Sequence, residues 1–395
     1  MEFSFELISK DSKSHARCGV IHTLHGDIQT PAFSPVATKA TLRSLDPEDI
    51  KKTNSQVVLG NTYHLYLQPG SRVIEQFGGF GPFMGWTGPT VTDSGGYQIS
   101  FLWQSEKNRK LKIQDQSEEV GGILKITDEG AFFRSHIDGS DHVLTPEKSI
   151  EIQKILGADI IMALDQPMGD TFTARQNTLA YERTVKWEER SFAHWKKIKS
   201  QQALFGIIQG GLDKKLRVKF LRFLVEMGFP GLAIGGKTIG SDPKITACAL
   251  DTIADLLPPD KPLHALGLGG GPEGIFEAVQ RGVDIFDNSS VTRMARTGLL
   301  FIYPEDGGSL QTKFRIDVAR SKLKNKKEPV SKVCKCYTCQ NFSTAYVTHL
   351  FASHEILAQR LASIHNVTFI NNLMTQIRDA IHNNDFLVLK AHWCT

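Results

Sequence analysis

The sequence has no long run of apolar residues. Spanning a bilayer takes roughly 20 consecutive apolar residues, and stretches such as Ile160 to Leu164 are only as long as a strand. The segment Met1 to Lys10 contains Glu2 and Glu6 and no extended apolar region, which is not the pattern of a secretory signal. We therefore expect a protein that does not span membranes.

Cysteine and excess charge are also scarce. Six cysteines in 395 residues are too few to indicate a disulfide scaffold, and free thiols suit a reducing compartment, so we expect a cytoplasmic protein. A formal net charge of +4 is too small to indicate nucleic-acid binding by itself. A hydrophobic fraction of 41% and a charged fraction of 22% are ordinary for a folded chain and exclude disordered and fibrous classes.

Eight short apolar runs alternate along the chain with segments that carry helix signals. This alternation predicts an α/β fold, and eight strand-helix units over about 270 residues match the size of a TIM-type (β/α)8 barrel. A doubly wound open sheet is the alternative, because alternation alone does not show closure. The runs are Phe33 to Ala37, Gln56 to Gly60, Pro89 to Thr92, Asp159 to Leu164, Leu204 to Ile208, Gly231 to Gly235, Leu263 to Leu268 and Val283 to Phe286.

Capping residues support the helices between these runs. Asp46 and Thr145 each precede a proline, which is typical of a helix N-terminus because proline lacks the N–H that would be unpaired there. Gly157, Gly228 and Gly282 stand where left-handed C-caps are expected.

The residues that follow the apolar runs are mostly polar or glycine. In a barrel of this type the catalytic groups come from the carboxyl ends of the strands. These positions are therefore a candidate site: Asn61, Asp93, Asp165, Gln209, Gly235 with Gly236, Gly267 and Asp287.

The chain divides into two predicted parts. Residues 1–315 would form the barrel, with an N-terminal extension and a polar insertion near 104–122, and residues 316–395 a zinc-binding subdomain whose helices pack on the barrel. The tract 320–332 is rich in Lys and Arg. Its composition fits a solvated linker and a phosphate-binding patch equally well.

Three thiols lie within six residues at Cys334, Cys336 and Cys339. A redox pair or unconnected structural cysteines are the alternatives, but thiolates packed this closely favour a bound cation, and four-coordinate zinc would need one more ligand. Three thiolates and an imidazole would leave no open coordination position, so the metal would be structural. The nearby candidates are His349, His354 and His365.

Several segments together resemble one family. Over nearly the whole chain, in the same order, the motifs are similar to those of the bacterial-type tRNA-guanine transglycosylases, also called queuine tRNA-ribosyltransferases. The matching segments are Gly60-Asn61-Thr62-Tyr63-His64-Leu65, Thr92-Asp93-Ser94-Gly95-Gly96-Tyr97-Gln98, Ile208-Gln209-Gly210-Gly211, Ala233-Ile234-Gly235-Gly236, Asp284-Ile285-Phe286-Asp287, Thr292-Arg293-Met294-Ala295-Arg296 and the cysteine cluster.

The resemblance implies a reaction. Guanine at the anticodon wobble position of tRNA would be exchanged for queuine or a 7-deazaguanine precursor, by double displacement through a covalent aspartyl-ribose intermediate. An aspartate can trap the positive charge that develops at the anomeric carbon, while a second group transfers protons. By the family pattern Asp287 is the nucleophile and Asp93 the general acid/base. Without the resemblance, a lone aspartate after a strand is more often a capping or ion-paired residue than a catalytic one.

The resemblance also assigns binding roles. Asp165 would accept from guanine N–H groups, and Gln209 and the Gly236 backbone N–H would donate to its carbonyl oxygen. Tyr97 would stack on the base, and Leu266 would line its site. The family also implies a homodimer. The remaining assignments are Arg293 and Arg296 to the anticodon loop, and Cys334, Cys336, Cys339 and His365 to one structural Zn²⁺ ion.

The sequence departs from the family at the base pocket. Gln166-Pro167 replaces the usual Glu-Cys after Asp165, and the segment from Lys237 to Ser241 replaces Leu-Ala-Val-Gly-Glu. A cation at Lys237 without the glutamate should disfavour a cationic aminomethyl group. We therefore predict weaker selectivity for the aminomethyl precursor and a preference for queuine, guanine or another deazapurine.

Two other functions are open alternatives. One is base exchange on another nucleic acid, such as archaeosine-type tRNA modification or deazapurine insertion into DNA. We expect no further RNA-binding domain after the cysteine cluster, and this expectation argues against the archaeal arrangement. The other is a non-catalytic tRNA-binding subunit, which would be expected to lose Asp93 or Asp287. Both aspartates are present.

Overall fold

The computed structural model of the chain describes residues 3–101, 122–169, 172–236, 238–240, 242–269 and 271–394. The predicted insertion near 104–122, apart from its last residue, and the selectivity positions Lys237 and Ser241 lie outside the described residues.

The described residues contain seventeen strands. They are β1 (Ser4–Lys10), β2 (Arg17–Thr23), β3 (Gly26–Thr30), β4 (Ala32–Ser34), β5 (Val36–Ala37), β6 (Val58–Gly60), β7 (Thr90–Thr92), β8 (Ile123–Ile126), β9 (Ala131–Arg134), β10 (Asp141–Leu144), β11 (Ile160–Met162), β12 (Ala203–Ile208), β13 (Gly231–Ile234), β14 (Leu263–Ala265), β15 (Ile285–Asp287), β16 (Leu299–Phe301) and β17 (Arg315–Asp317).

Helices follow most of the strands. They are α1 (Pro47–Lys52), α2 (Thr62–Leu65), α3 (Ser71–Glu75), α4 (Phe80–Met84), α5 (described over 96–101), α6 (Pro146–Leu156), α7 (Ala174–Lys197), α8 (Lys214–Met227), α9 (Pro243–Asp251), α10 (Pro272–Val279), α11 (Ser290–Ala295), α12 (Tyr337–Asn341), α13 (Thr344–Ala352), α14 (Ile356–His382) and α15 (Phe386–Cys394).

Nine parallel segments form the central sheet, in the order β4, β15, β14, β13, β12, β11, β7, β6, β5. The first and last of them, β4 and β5, are two halves of one extended run that is interrupted at Pro35. Proline has no N–H to give to a ladder, so a break there is expected. Because one half pairs with β15 and the other with β6, the sheet closes on itself. The TIM-type barrel is thus confirmed and the open sheet is excluded.

Each of the eight predicted apolar runs overlaps at least one barrel strand. Four predicted caps are confirmed. The side chains of Asp46 and Thr145 accept N–H groups in the first turns of α1 and α6. Gly157 and Gly228 end α6 and α8 in the left-handed conformation. Gly282 is left-handed as well, but it stands beyond the C-cap of α10.

The barrel interior is filled by apolar side chains at alternate strand positions. Its buried cluster includes Val91, Ile160, Phe205, Ala233 and Ile285. The antiparallel sheet β1-β2-β3 adds apolar side chains to the same cluster and covers the amino ends of the strands. A packed interior leaves the carboxyl ends as the place for a site.

Helix α14 is the main element after the barrel. It packs against α11 and β16 near the carboxyl ends of the strands, and against β2 and β4 farther along. Asn366 donates to the carbonyl oxygens of Val291 and Leu299 and accepts from the Phe301 N–H. No helix among the described ranges has the length and apolar character needed to cross a membrane.

Candidate active site and metal centre

Asp93 directly follows β7 and is held by three groups. The Thr62 N–H donates to its Oδ1 at 2.8 Å, the Gln98 amide donates to its Oδ2 at 3.0 Å, and the Asn61 amide donates to Oδ2 as well. Burial raises the pKa of Asp93 to about 7 against the hydrogen bonds from Thr62 and Gln98, and the nearby charges of Asp287 and Asp165 add to the rise. A carboxyl group in this range can both give and take a proton near neutral pH.

Asp165 follows β11, the strand beside β7. Its Oδ2 accepts from the Gln209 amide at 2.7 Å and its Oδ1 from the Ser94 hydroxyl at 3.3 Å. Burial raises the pKa of Asp165 to about 7 despite these two donors. A Cβ at Gly96 would lie 2.5 Å from Asp165 Oδ1, so this close packing requires glycine at that place in the Thr92 to Gln98 motif.

Asp287 is the last residue of β15. Its Oδ1 accepts hydrogen bonds from His264 Nε2 and from the Gly267 N–H, each at 3.1 Å. The side chain is largely buried. The charges of Asp287 and Asp165 both act on Asp93, so the structure brings the three predicted carboxylates into one cleft.

The other predicted base-binding residues border the same cleft. Gly236 is left-handed with a φ of +84°, and a Cβ added there would lie 4.0 Å from Gln209 Oε1. Leu266 is half-buried, and its side chain contacts Gly235. Tyr97 is 52% exposed and packs its ring against Phe101.

A cavity of about 300 Å³ adjoins Gln209 and Gly236. Met168, Asn177 and Thr238 also line it. Open space therefore adjoins two of the residues that would hold a purine edge.

The two predicted tRNA contacts lie on or just after α11, immediately beyond Asp287. Arg293 is exposed and Arg296 is half-buried. Burial lowers the pKa of Arg296, and the positive charges of Arg43 and Arg293 lower it further. Burial, followed by the charges of Lys39, His136 and Arg43, also lowers the pKa of His64 to about 4. This edge of the barrel is therefore cationic, as a phosphate-binding surface would need to be.

The predicted cysteine cluster and one histidine converge. One ligand atom from each of Cys334, Cys336, Cys339 and His365 lies within 4.8 Å of the others, and all four residues are buried. His365 Nδ1 lies 3.5 Å from Cys336 Sγ and 3.2 Å from Cys339 Sγ. These separations fit a tetrahedral ion about 2.0–2.3 Å from each ligand atom.

The histidine is oriented for this role by its other nitrogen. His365 Nε2 lies 2.7 Å from the Phe301 carbonyl oxygen, so it carries the proton and leaves Nδ1 as the free lone pair. A buried Cys3His set could therefore bind a metal. His349 and His354 are not part of the cluster.

Sequence reasoning missed the residues that hold the carboxylates. Asn61 caps α2 through its Oδ1, which accepts from the His64 N–H, and uses its amide on Asp93. The sequence places Asn61 at a strand end and within a family motif, but it does not indicate Asp93 as its partner. His264 stands inside a strand, where no local pattern marks it as a partner of Asp287. The Gln166 side chain, at a position where the sequence departs from the family, accepts from Arg183 on α7.

Comparison with known proteins agrees with the geometry. The family model described as queuine tRNA-ribosyltransferase matches residues 11–395. Proteins named queuine tRNA-ribosyltransferase from Thermoanaerobacter sp. and Nostoc sp. are each 42% identical to this chain over 392 residues, covering 98% and 99% of it and 96% of each relative. One from Roseiflexus sp. is 39% identical over 408 residues, covering 100% of this chain and 99% of the relative. The chain belongs to the queuine tRNA-ribosyltransferase family and is a pentosyltransferase.

Proposed function

We propose that this enzyme exchanges guanine at the wobble position of tRNA for queuine or a 7-deazaguanine precursor. The observation that carries the proposal is the meeting of Asp93, Asp165 and Asp287 in one cleft at the carboxyl ends of barrel strands. The family match supports tRNA as the substrate. The cationic edge around Arg293 and Arg296 supports it too.

In this proposal Asp287 is the nucleophile. Its carboxylate attacks the ribose anomeric carbon, guanine leaves, and the ribose stays on the enzyme as an ester until the incoming base displaces it. Asp93 protonates the leaving base and deprotonates the incoming one. A pKa raised to about 7 by burial suits a group that must do both.

Base recognition falls to the opposite wall of the cleft. Asp165 accepts from the N–H groups of the purine, and Gln209 and the Gly236 N–H donate to its carbonyl oxygen. Leu266 gives an apolar contact. Tyr97, which is half-exposed at the mouth, stacks on the base. Arg293 and Arg296 contact the anticodon loop.

The residues that would select the incoming base depart from the family pattern. Gln166 is bound to Arg183 and does not present a carboxylate to the cleft, which supports weaker selection of the cationic aminomethyl precursor. The cavity beside Gln209 and Gly236 supports acceptance of a larger substituent. Competitive exchange on radiolabelled tRNA tests this: we expect queuine or guanine to be used at least as well, and preferential incorporation of the aminomethyl base would contradict it.

The Cys3His cluster is proposed to hold one structural Zn²⁺. Bound there, the ion would cross-link α12 and the segment before it to α14 through Cys339 and His365, with no ligand position left for chemistry. We propose residues 316–395 as the subdomain organised by this ion, and residues 1–315 as the catalytic barrel.

We also propose that two copies associate. The family supports a homodimer, and an aromatic surface next to the metal centre supports the same conclusion: Tyr337 and Tyr346 are exposed and flank Phe342. Clustered exposed aromatic side chains are enriched at interfaces. Sedimentation should give twice the chain mass, and Tyr346→Ala should shift the equilibrium toward monomer. A monomeric wild-type protein would contradict this.

The central test is the covalent intermediate. Enzyme incubated with tRNA should yield an adduct that survives denaturing electrophoresis, and Asp287→Ala should abolish both the adduct and base exchange while leaving tRNA binding. A non-catalytic tRNA-binding subunit would show binding and no adduct. Exchange on DNA with none on tRNA would favour the other alternative.

A further inference from the structure

The two oxygens of Asp287 have different surroundings. Oδ1 accepts from His264 Nε2 and from the Gly267 N–H, both at 3.1 Å. Oδ2 accepts no hydrogen bond from the residues that the structure describes. Two donors on one oxygen fix the plane of the carboxylate, and they leave the other oxygen available.

His264 reaches Asp287 from inside the barrel. It lies on β14, where its neighbours across the ladders are Ala233 and Ile285, both members of the apolar interior cluster. The histidine is 0% exposed. It therefore stands one layer below Asp287, which follows Ile285 by two residues on the same face of β15.

The second nitrogen of His264 identifies the tautomer. Nδ1 is buried and has no hydrogen-bond partner among the described residues. A proton on Nδ1 would be a buried donor without an acceptor, whereas a bare Nδ1 against an apolar wall is the smaller penalty. Nε2 therefore carries the proton that is donated to Asp287.

We propose that His264 is a positioning residue for the transfer, which holds Oδ1 of Asp287 so that Oδ2 is the oxygen that bonds to the ribose. The inference rests on the proposed function, in which Asp287 is the nucleophile. A polar group placed in the barrel interior with half of its hydrogen-bonding capacity unused contributes little to folding. Its position is explained by what it does to the carboxylate above it.

The assignment is consistent with both half-reactions. As Oδ2 bonds to the anomeric carbon, the bond from that carbon to the base nitrogen breaks, and its electron pair leaves with the base, which is protonated by the general acid. Oδ1 becomes the carbonyl oxygen of the ester and still accepts from His264. When the incoming base nitrogen attacks, the carbon–Oδ2 bond breaks, its electron pair returns to the carboxylate, and the same donors stabilise the charge.

Two substitutions separate positioning from packing. His264→Gln places an amide N–H where Nε2–H now stands, and His264→Leu fills the space without a donor. We expect His264→Leu to lower kcat by about 10- to 100-fold, as for a lost hydrogen bond to a charged group, with the KM for the incoming base unchanged. His264→Gln should stay within about threefold of wild type. The Tm of His264→Leu should equal or exceed that of wild type.

The outcomes distinguish this inference from the proposal on which it rests. If wild type forms the adduct and Asp287→Ala does not, yet His264→Leu keeps the wild-type kcat, then the positioning role is wrong and the nucleophile stands. A fall in Tm that accompanies the fall in kcat, or failure of His264→Gln to restore the rate, also overturns the positioning role. An adduct that persists in Asp287→Ala overturns the nucleophile itself.

Discussion

Asp284 and Asp287 stand at opposite ends of the same short strand and have opposite surroundings. Asp284, at the amino end of β15, accepts from Arg17 Nε at 3.0 Å, Arg17 Nη2 at 2.7 Å and the Leu263 N–H at 2.7 Å. Asp287, at the carboxyl end, is paired with no Lys or Arg of the described residues. A buried guanidinium faces the first carboxylate, whereas an imidazole and a backbone N–H hold the second.

The same contrast extends to the neighbouring strands. At the amino end, Asp159 accepts from the Thr90 N–H and lies 2.8 Å from His25. At the carboxyl end, burial without a cation raises the pKa values of Asp93 and Asp165 to about 7. One fold thus uses buried carboxylates in two ways. At the amino ends, Asp284 and Asp159 tie the barrel together through Arg17 and His25. At the carboxyl ends, Asp93, Asp165 and Asp287 have no Lys or Arg partner among the described residues and are available for proton transfer and attack.

The largest expected difference is between substitutions of Asp284, which precedes β15, and of Asp287, which ends it. Asp287→Asn removes the anionic oxygen that bonds to ribose, so we expect base exchange to fall by more than about 10⁴-fold with little change in Tm. Asp284→Asn leaves the cleft intact and should lower Tm while each folded molecule keeps its activity. Exchange rates normalised to the folded fraction, with thermal unfolding, measure both. Similar losses of activity in the two variants would end the distinction.

Removing the metal should mainly destabilise the C-terminal region of the chain. Cys336→Ala deletes one of four ligands, so we expect zinc to be lost and the free energy of unfolding to fall by more than about 4 kcal/mol, as for a lost structural metal. Metal analysis and thermal unfolding measure the two effects. Exposed Cys248 provides the control, since Cys248→Ala should change neither. Unchanged metal content and stability in Cys336→Ala would refute the assignment.

Breaking the amino-end ion pair should cost stability and spare chemistry. Arg17→Met leaves Asp284 buried without its guanidinium, and we expect a loss of roughly 3–5 kcal/mol in the free energy of unfolding. The double variant Arg17→Met with Asp284→Leu should recover much of that loss, because no uncompensated charge remains. Denaturant unfolding of the single and double variants measures the coupling. A selective loss of kcat in Arg17→Met would contradict a purely structural role.

Asp165, at the carboxyl ends of the barrel strands, should make the folded state less stable as the pH rises. Burial raises the pKa of Asp165 to about 7, so between about pH 4 and pH 7 the folded chain binds more protons there than the unfolded chain. The contribution of Asp165 to stability is therefore present at low pH and lost as the pH rises through 7. Asp165→Asn should match wild type near pH 4 and be more stable near pH 8. Unfolding at both pH values checks this, and a stability difference independent of pH would count against it.

The smallest effect should come from the two arginines on and just after α11. Arg293→Ala and Arg296→Ala should each weaken tRNA binding several-fold and reduce the slope of log affinity against log salt by about 1. Binding titrations over a range of salt concentrations measure this. Arg222→Ala, an exposed position on the outer helix α8, is the control and should leave the slope unchanged. Equal slopes in all four proteins would remove α11 from the tRNA surface.

Much of the barrel was predictable because its signals are local. Apolar runs and caps such as Asp46 and Thr145 depend on neighbours in sequence, and three cysteines within six residues limit their own geometry. The choice of His365 depends on the family resemblance, since the spacing alone left three histidines as candidates. The small antiparallel sheets around the barrel and the division of the first strand at Pro35 were not predicted.

What the sequence did not reveal depends on distant pairs. His264 meets Asp287 across a ladder although the two are 23 positions apart in the sequence, and the pairing depends on how two strands align in the closed barrel. The partner of Asn61, 32 residues away at Asp93, is equally invisible to a local pattern. Only the closed sheet brings these side chains together.

Helix α14 has a consequence for how the chain is made. Its Asn371 donates to the Thr53 carbonyl oxygen across 318 positions, and its Arg378 to the Pro31 carbonyl oxygen across 347. The first strand leaves the ribosome long before Asn371 or Arg378 has been synthesised. Its packing against α14 can therefore be completed only near the end of translation. The first strands of the barrel therefore lack their contacts with α14 until nearly the whole chain has been translated. Truncation before α14 should yield a nascent barrel that chaperones bind.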